Sequence, residues 1–253
     1  MNAPGLITPD RFDAVLFDLD GVLTATAKVH AASWKEMFDS FLRRHSAATG
    51  EPFQPFDLAT DYFAYVDGRP RFEGVRAFLA SRRIVLPEGS PADPPKADSI
   101  LSLGNRKNVL VQEAIAAGKV ELFPGALPFV DWVLSQGLRT AVVSSSKNCR
   151  AILAAVQIAE RFEVVVEGQV AEELGLPGKP APDTFLKAAD WLEVEPARAV
   201  VVEDALVGVQ AGKAGGFGLV VGVQHGDSAA ALLDHGADVV VANLTELIPA
   251  SSG

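Results

Sequence analysis

The chain has 253 residues, nearly half of them apolar, which is enough for one large domain or for a core domain with a smaller inserted one. Its formal net charge is −10 and it has no basic run, which disfavours a nucleic-acid partner. The single cysteine gives no sign of an oxidising compartment, and neither a signal pattern nor an apolar run long enough to span a bilayer is present. We therefore expect a soluble cytoplasmic protein without a membrane partner.

The first predicted element is a buried strand that ends in two carboxylates. The apolar run Ala14 to Phe17 is followed by Asp18, by Asp20 and then by a turn glycine, Gly21. In an open α/β sheet the ligand crevice lies outside the carboxyl ends of the strands. Residues that are two positions apart in an extended chain point to the same face, so we expect both side chains to lie on one face. Two crowded acids repel each other, and a proton or a hard cation relieves that repulsion.

The next segment is predicted to be helical. Between Thr24 and Phe123 the sequence has no comparable β-branched run, and a set of apolar residues recurs at helical spacing. That set is Val29, Trp34, Met37, Phe38, Phe41 and Leu42. Residues 87–96 are too rich in proline for a helix interior and predict an exposed loop. The predicted domains are a loose tail over 1–11, an α/β core over 12–26 and 122–253, and a helical cap over 27–121.

From Phe123 onward, short apolar runs alternate with helical stretches. These runs are Leu138 to Val143, Val164 to Val166, Ala199 to Val202, Leu219 to Val223 and Val239 to Val241. Together with the first strand they make about six strands. Strands that alternate with helices predict an α/β fold with a doubly wound parallel sheet, a Rossmann-like core covered by helices on both faces.

Polar groups follow four of these apolar or loop segments. They are Asp18 with Asp20, Ser144 to Ser146, Lys179 before Pro180, and Glu203 with Asp204. In a doubly wound sheet such ends converge on one crevice. Carboxylates can hold a divalent cation, a serine hydroxyl and backbone N–H groups can hold phosphate oxygens, and a lysine offsets the remaining negative charge. The set suits phosphoryl transfer, and an aspartate can be the covalent nucleophile.

Each segment alone has a simpler structural interpretation. The Asp18 to Gly21 pattern can be a turn with a helix cap, and the serines before Lys147 can be a plain N-cap. Lys179 can be a solvated loop residue, and Glu203 with its neighbour can favour the positive end of the next helix. The joint occurrence of the segments, in order, favours the functional interpretation.

In that order, Asp18-Leu19-Asp20-Gly21-Val22, Ser144, Gly178-Lys179-Pro180 and Glu203-Asp204 resemble the four-motif signature of the haloacid dehalogenase superfamily, in its phosphatase and phosphomutase branch. The resemblance extends from about Phe12 to about Leu247. It implies that Asp18 is the nucleophile that becomes an aspartyl-phosphate. It also implies that Asp20 is the general acid and base.

The same resemblance implies a Mg²⁺ site and a phosphate site. Asp18 and Asp204 would be carboxylate ligands of the metal, Glu203 a ligand or its support, and Asp20 would contribute its backbone carbonyl. The residues that would hold the transferring phosphoryl group are Ser144, Ser145 and Lys179.

The inserted segment resembles the helical cap of β-phosphoglucomutase-like enzymes. The substrate-binding residues that this implies are His30, Trp34, Gly68, Arg71 and Lys107. Ser146 and Asn148 continue the resemblance of the core and are further implied substrate contacts. Arg71 would bind the phosphate that is not transferred, and Gly68 would let its loop approach the site closely. Lys107 would face the sugar phosphate.

These cap residues also have structural interpretations. His30 can be a hydrogen-bonded packing residue, and Trp34 is expected to pack in the core in either case. Arg71, with Arg69, can be the solvated start of a helix. The sequence departs from the family at Ala25, where many relatives carry an aspartate, and in the added proline-rich loop. Cap closure and the choice of substrate depend on these differences.

The resemblance implies a monomeric, Mg²⁺-dependent enzyme that acts on a small-molecule sugar phosphate. The favoured reaction interconverts β-D-glucose 1-phosphate and glucose 6-phosphate through a bisphosphate. A sugar-phosphate phosphatase would use the same core residues with water as the acceptor, and a noncatalytic phosphosugar-binding module is a third alternative. His30, Arg71 and Lys107 favour the mutase, because a hydrolase has less need to hold a second phosphate. The crowded pair Asp18 and Asp20 argues against a noncatalytic module.

Overall fold

The structure is a computed structural model that describes residues 5–66, 69, 71–90, 92–94, 97–225 and 228–249. The chain forms two compact units. The α/β unit consists of Met1–Thr26 and Val120–Gly253, and the helical unit consists of Ala27–Lys119. Within the described residues, every helix is too short or too polar to cross a lipid bilayer.

The α/β unit contains one parallel sheet of six strands. The strands are β1 Ala14–Phe17, β2 Arg139–Val143, β3 Val164–Val166, β4 Ala199–Glu203, β5 Leu219–Val223 and β6 Val239–Val241. They lie in the order β3-β2-β1-β4-β5-β6, so β1 is central and pairs with both β2 and β4. The predicted fold class is confirmed. Valine-rich runs form these strands because a parallel sheet is buried on both faces.

Helices account for most of the remaining ordered structure. In chain order they are α1 Ala27–Thr49, α2 Arg71–Ser81, α3 Ile100–Ala116, α4 Ala126–Ser135, α5 Cys149–Ala155, α6 Gly168–Glu173, α7 Asp183–Trp191, α8 Leu206–Ala214 and α9 Ala229–Asp234. A short π-helix, Tyr62–Val66, precedes α2. The proline-rich loop is irregular in its described part, over 87–90 and 92–94.

Helices cover both faces of the sheet. On one face, Leu16 of β1 lies in a cluster with Phe185 of α7 and Val209 of α8, all fully buried. On the other face, the ring of Phe17 lies 5.9 Å from that of Phe129 in α4, in an edge-on arrangement. Alternate residues of β1 therefore contact opposite layers, and the residue that follows Phe17 lies at the carboxyl edge of the sheet.

The helical unit has an aromatic core of its own. Every residue of the apolar set predicted for the first helix is buried in α1, and Phe38 lies at the centre of the cluster. Its ring centroid is 5.3 Å from that of Trp34, 5.1 Å from that of Phe56 and 4.1 Å from that of Phe78. The unit is thus held together by stacked rings, which bury a large apolar area.

Part of the segment expected to be a loose tail is packed. Ile7 is 1% exposed, and the N–H of Phe12 donates to the carbonyl of Thr8 at 2.9 Å. The guanidinium of Arg11 donates to the carbonyl of Leu6 at 3.1 Å. The proline and glycine content suggested looseness, but a single apolar side chain is enough to anchor a short segment on the α/β unit.

Candidate functional site

The loop after β1 places two carboxylates at the edge of the sheet. Asp18 continues the pairing with β4, since its N–H donates to the carbonyl of Val202 at 2.9 Å. Its side chain is buried. Asp20 lies one step further, and its carboxylate accepts a hydrogen bond from the hydroxyl of Thr26. A turn follows directly after Asp20, where the N–H of Gly21 donates to the carbonyl of Thr24 at 2.9 Å.

Lys179 joins the acids of two neighbouring strands. Its ammonium forms ion pairs with Asp18 and, at 2.5 Å, with Oε1 of Glu203, the last residue of β4. It also lies 3.4 Å from the carbonyl oxygen of Val143, which ends β2, and 4.9 Å from the centroid of the Phe185 ring. Burial lowers the pKa of Lys179, but the two carboxylates outweigh it and raise the pKa above its usual value. The side chain is therefore a permanent cation.

Burial and mutual repulsion act on the carboxylates. Burial raises the pKa of Asp18 well above its usual range, against the lowering effect of Lys179, and the negative charges of Glu203, Asp20 and Asp204 add to the rise. Burial and the charge of Glu203 raise the pKa of Asp204 to about 7. A group of acids in this state needs further positive charge if all of them are to ionise at neutral pH.

Two glycines make room for the acids. Gly21 has φ +94°, and a Cβ at that position would lie 1.9 Å from Oδ2 of Asp204. A Cβ at Gly208 in α8 would lie 1.8 Å from Oε1 of Glu203. Glu203 in turn accepts hydrogen bonds at Oε2 from the N–H groups of Asp204, at 2.9 Å, and Ala205, at 3.0 Å. The backbone before α8 therefore fixes the carboxylate of Glu203, whereas the carboxylate of Asp204 lies toward Gly21 in the first loop.

Asp18, Glu203 and Asp204, which we call the acidic cluster, have the chemistry of a site for a hard divalent cation. Each offers one carboxylate oxygen, and these oxygens lie within 4.8 Å of one another. Oxygens bound to one Mg²⁺ at about 2.1 Å are separated by at most about 4.2 Å, so the cluster is close to that limit. One ammonium, from Lys179, faces these three carboxylates. The residues present thus fit Mg²⁺.

A serine-rich turn follows β2, next to the first loop. The pairing of Phe17 with Val142 makes the ends of β1 and β2 neighbours. Ser144 is buried, and its hydroxyl oxygen accepts a hydrogen bond from the N–H of Ser146 at 3.1 Å. The hydroxyl oxygen of Ser146 accepts one from the N–H of Asn148, also at 3.1 Å, at the start of α5.

The remaining serine of this turn lies further out. Ser145 is exposed, and the neighbouring Lys147 forms an ion pair with Glu172 at the surface. The structure thus brings one serine hydroxyl, from Ser144, into the buried edge where Asp18 and Lys179 meet β2. The predicted phosphate-binding residues lie on adjacent strand ends or loops of one unit.

In the helical unit, three of the predicted substrate-binding residues lie together. Nζ of Lys107 lies 2.7 Å from Nδ1 of His30 and 5.1 Å from the centroid of the Trp34 ring. Lysine has no acceptor, so Nδ1 of His30 accepts the hydrogen bond and the ring proton is on Nε2. Burial, reinforced by the charge of Lys107, lowers the pKa of His30 to about 3. The histidine is therefore neutral. Its contact with Lys107 is compatible both with a packing role and with a substrate-binding role.

The other predicted residues of the helical unit are placed separately. Arg71 is half-buried at the start of α2, with its guanidinium carbon 4.8 Å from the centroid of the Phe72 ring. Its Nε is buried and has no hydrogen-bond partner among the described residues. Gly104 allows this packing, because a Cβ there would lie 2.5 Å from the Phe72 ring. Gly68 lies outside the described residues.

Sequence reasoning missed several contributors to these contacts. Thr26 gave no signal, because its hydrogen bond to Asp20 depends on how the loop folds back. Gly208 looked like an ordinary helix residue, although its missing side chain makes room for Glu203. A glycine inside an apolar helix, four residues after a predicted acidic pair, is the one signal that could have indicated a close approach.

Comparison with known proteins shows the family to which this chain belongs. A family model described as haloacid dehalogenase-like hydrolase matches residues 12–216. The Beta-phosphoglucomutase of Mycobacterium bovis is 48% identical over 243 residues, which is 95% of this chain and 93% of that protein. The Beta-phosphoglucomutase of Bacillus subtilis is 31% identical, covering 92% and 91%. The crystal structure of CbbY from Rhodobacter sphaeroides in complex with phosphate has a TM-score of 0.67 and 27% identity, covering 93% of this chain and 96% of that one.

Proposed function

Since the chain belongs to the haloacid dehalogenase-like hydrolases and is an enzyme of the phosphomutase or phosphatase kind, we propose that it interconverts β-D-glucose 1-phosphate and glucose 6-phosphate. The observation that carries this choice is the 48% identity, over nearly the whole chain, with a Beta-phosphoglucomutase. The contacts around Asp18 and Lys179 supply a chemical path for it.

In the first half-reaction, a carboxylate oxygen of Asp18 attacks the phosphorus of a sugar bisphosphate. The bond from phosphorus to the sugar oxygen breaks, and Asp20 in its acid form gives that oxygen a proton. Lys179, already paired with Asp18, and the hydroxyl of Ser144 offset the charge on the phosphoryl oxygens. The backbone N–H of Ser145 is suited to the same task.

In the second half-reaction, the transferring group returns to a sugar. Asp20, now ionised, takes the proton of the acceptor hydroxyl, whose oxygen attacks the phosphorus and displaces Asp18. The hydrogen bond from Thr26 holds the Asp20 carboxylate in one orientation for both steps. Acid and base roles therefore alternate on one side chain.

The acidic cluster is proposed to hold Mg²⁺. Asp18 and Asp204 would bind it through carboxylate oxygens, Glu203 would bind or support it, and Asp20 would offer its backbone carbonyl. When bound, Mg²⁺ neutralises charge on the reacting phosphate. The support for this assignment is the charge balance of the cluster, in which, among the described residues, the ion pairs of two of the three acids come from Lys179.

The helical unit is proposed to recognise the rest of the substrate. Arg71 would bind the phosphate that is not transferred, and Lys107, with the neutral His30 beside it, would face the sugar phosphate. Trp34 and Gly68 are further substrate contacts from the helical unit in this proposal, and Ser146 and Asn148 are substrate contacts from the α/β unit. A second phosphate site is what a mutase needs, because the bisphosphate must turn round between the two half-reactions.

A sugar-phosphate phosphatase is the second candidate. The matching family model is described as a hydrolase, and the solved structure of CbbY holds phosphate. The roles of Asp18, Asp20, Lys179 and Ser144 would be unchanged, with water in place of the sugar hydroxyl. For either activity we propose a monomer that acts in the cytoplasm on a small molecule.

The experiment is a two-product assay. Purified protein is incubated with Mg²⁺, β-glucose 1-phosphate and a trace of glucose 1,6-bisphosphate, and glucose 6-phosphate and free phosphate are followed together. Asp18→Asn is the control, and we expect it to lower turnover by at least about 10³-fold because it removes the nucleophile.

The ratio of the two products decides between the candidates. Glucose 6-phosphate formed well ahead of free phosphate, and absent with Asp18→Asn, supports the mutase. Free phosphate in excess supports the phosphatase. Formation of neither product, with or without Mg²⁺, would contradict both.

A further inference from the structure

Phe72 is the second residue of α2 and follows Arg71, which is proposed to bind a phosphate. Its ring is half-buried and packs against the aromatic core of the helical unit. The guanidinium carbon of Arg71 lies 4.8 Å from the centroid of this ring, which is within the range of a cation–π contact. The ring therefore joins the arginine to the core of the unit.

The ring of Phe72 also lies directly against the backbone of α3. A Cβ at Gly104 would be 2.5 Å from both Cδ1 and Cε1 of the ring, and 3.5 Å from Cγ of Arg71. Gly104 is buried inside α3, where the backbone is helical and alanine would be the better helix former. The close approach of Phe72 is thus the feature that requires a residue without a side chain at this position.

Arg71 differs from two nearby arginines in what it contacts. Arg76 of the same helix forms an ion pair with Glu88, and Arg82, which follows α2, forms one with Asp61 at 2.7 Å. Over the part of the chain that the structure describes, Arg71 has no such carboxylate partner, and its buried Nε has no hydrogen-bond acceptor. The contact that holds its guanidinium there is the ring of Phe72.

A ring and a carboxylate hold an arginine in different ways. A guanidinium that stacks on a ring keeps the N–H groups at its edge for a ligand, and these can bind a phosphate through two parallel hydrogen bonds. A carboxylate would occupy the same N–H groups. An arginine that is held by a ring therefore keeps its donors for an anion, while part of the ordering cost of its long side chain is met before the ligand binds.

We propose that Phe72, which packs on Gly104, is a positioning residue that holds the guanidinium of Arg71 for the phosphate that is not transferred. This inference rests on the proposed role of Arg71. Phe72 acts through Arg71 and not on the substrate. Its removal is therefore expected to affect a sugar phosphate but not an ester whose only phosphate is the one transferred.

The test compares β-glucose 1-phosphate, at a fixed concentration of glucose 1,6-bisphosphate, with 4-nitrophenyl phosphate. Phe72→Leu is expected to lower kcat/KM for the sugar phosphate by about tenfold, because Arg71 loses its stacking partner. The kcat/KM for 4-nitrophenyl phosphate should change by less than about twofold. Gly104→Ala keeps the ring but displaces it, so it should cause the same selective loss.

Two variants control the comparison. Phe72→Tyr keeps the aromatic ring and should retain kcat/KM within about twofold of wild type on both esters. Phe53→Leu removes another half-buried ring that packs against the aromatic core, and this ring lies 4.2 Å from the guanidinium carbon of Arg43. It should leave both activities unchanged, because Arg43 has no proposed role.

A double-mutant cycle tests whether the effect passes through Arg71. Arg71→Ala alone should lower kcat/KM for the sugar phosphate by about 10- to 100-fold, because a charged hydrogen-bond donor to the phosphate is lost. Adding Phe72→Leu to Arg71→Ala should lower it by less than a further factor of about two. A general packing role for Phe72 would instead multiply the two losses.

Equal losses on the two esters, no loss with Phe72→Leu or Gly104→Ala, or multiplied losses in the double variant would overturn the inference. If Arg71→Ala lowers kcat/KM but Phe72→Leu does not, the inference fails while the proposed role of Arg71 stands. If the wild type turns over 4-nitrophenyl phosphate but not β-glucose 1-phosphate, the proposed substrate is wrong. The same variants are then compared on the best sugar phosphate from a panel, where no effect of Arg71→Ala would overturn the inference as well.

Discussion

At the scale of single residues, Gly21 determines whether the acidic cluster can form. Its φ of +94° is a conformation that side chains disfavour, and the space that a Cβ would fill is taken by the carboxylate of Asp204. The first loop and the end of β4 therefore approach more closely than any other residue at this position would allow. Backbone strain at this position should affect stability, whereas a collision with Asp204 should affect activity, so the two effects can be measured separately.

We predict that Gly21→Ala lowers kcat by at least about 10²-fold, because Asp204 must move away from the first loop. The matched control is Gly175→Ala, which has φ +64° and no atom within 4 Å of the new Cβ. Both variants should lose about 1–2 kcal/mol of unfolding free energy from backbone strain, but only the first should lose activity. Urea unfolding and steady-state kinetics make the comparison. Equal activity in the two variants would contradict the steric role.

The sequence was sufficient to predict the two aspartates of the first loop, because an apolar strand that stops in acids is a local pattern. It could not predict that Gly21 meets Asp204 or that His30 pairs with Lys107. Those contacts join residues that are far apart in the chain, and their distances depend on the packing of whole elements. A short stretch of sequence therefore predicts which residue types lie in a loop, but it does not predict which distant residues those side chains contact.

At the scale of elements, α1 shows what periodicity can and cannot predict. Its apolar spacing predicted a helix with one buried face, which the structure has. The pattern could not predict the partners of that face. Phe38 stacks against Phe56 from a loop and packs at a tilt against Phe78 from α2. The strands were easier to predict, because runs such as Val200 to Val202 contain no alternating polar residues, which is typical of a strand buried on both faces.

We predict that Phe38→Ala lowers the unfolding free energy of the helical unit by about 3–5 kcal/mol, because the fully buried ring leaves a cavity among its neighbours. Phe63→Ala is the control. That ring is 68% exposed in the short π-helix of the same unit, and its removal should change stability by less than about 0.5 kcal/mol. Hydrogen exchange of α1 and α3 reports the difference. A similar cost for both variants would show that the aromatic cluster is not the source of stability.

At the scale of the whole molecule, the two units concentrate charge differently. The α/β unit gathers acids around Lys179, whereas the helical unit buries a lysine beside a neutral histidine. In the helical unit, burial and Lys107 lower the pKa of His30 from 6.5 to about 3. The folded unit therefore excludes a proton that the unfolded chain binds below about pH 6.5.

The sign of the resulting pH dependence follows directly. The unfolded state binds more protons between the two pKa values, so the unfolding free energy falls as the pH drops from 6.5 toward 3. We predict that between pH 7 and pH 5 wild type loses about 2 kcal/mol more than His30→Asn, whose amide oxygen can still accept from Lys107. Urea unfolding at both pH values measures this. An unchanged slope in His30→Asn would contradict the assignment.

The central position of β1 has a consequence for the order in which the protein is made. Phe17 pairs with Val142 on one side and Val202 on the other, so β1 precedes both of its neighbours and can pair with β4 only after Glu203 has been synthesised. The helical unit, built from the consecutive residues Ala27–Lys119, has its full core while the sheet still lacks partners. A nascent chain that ends before Lys179 contains Asp18, the proposed nucleophile, without the cation that pairs with it. The proposed reactive centre can therefore assemble only after Asp204 has been synthesised.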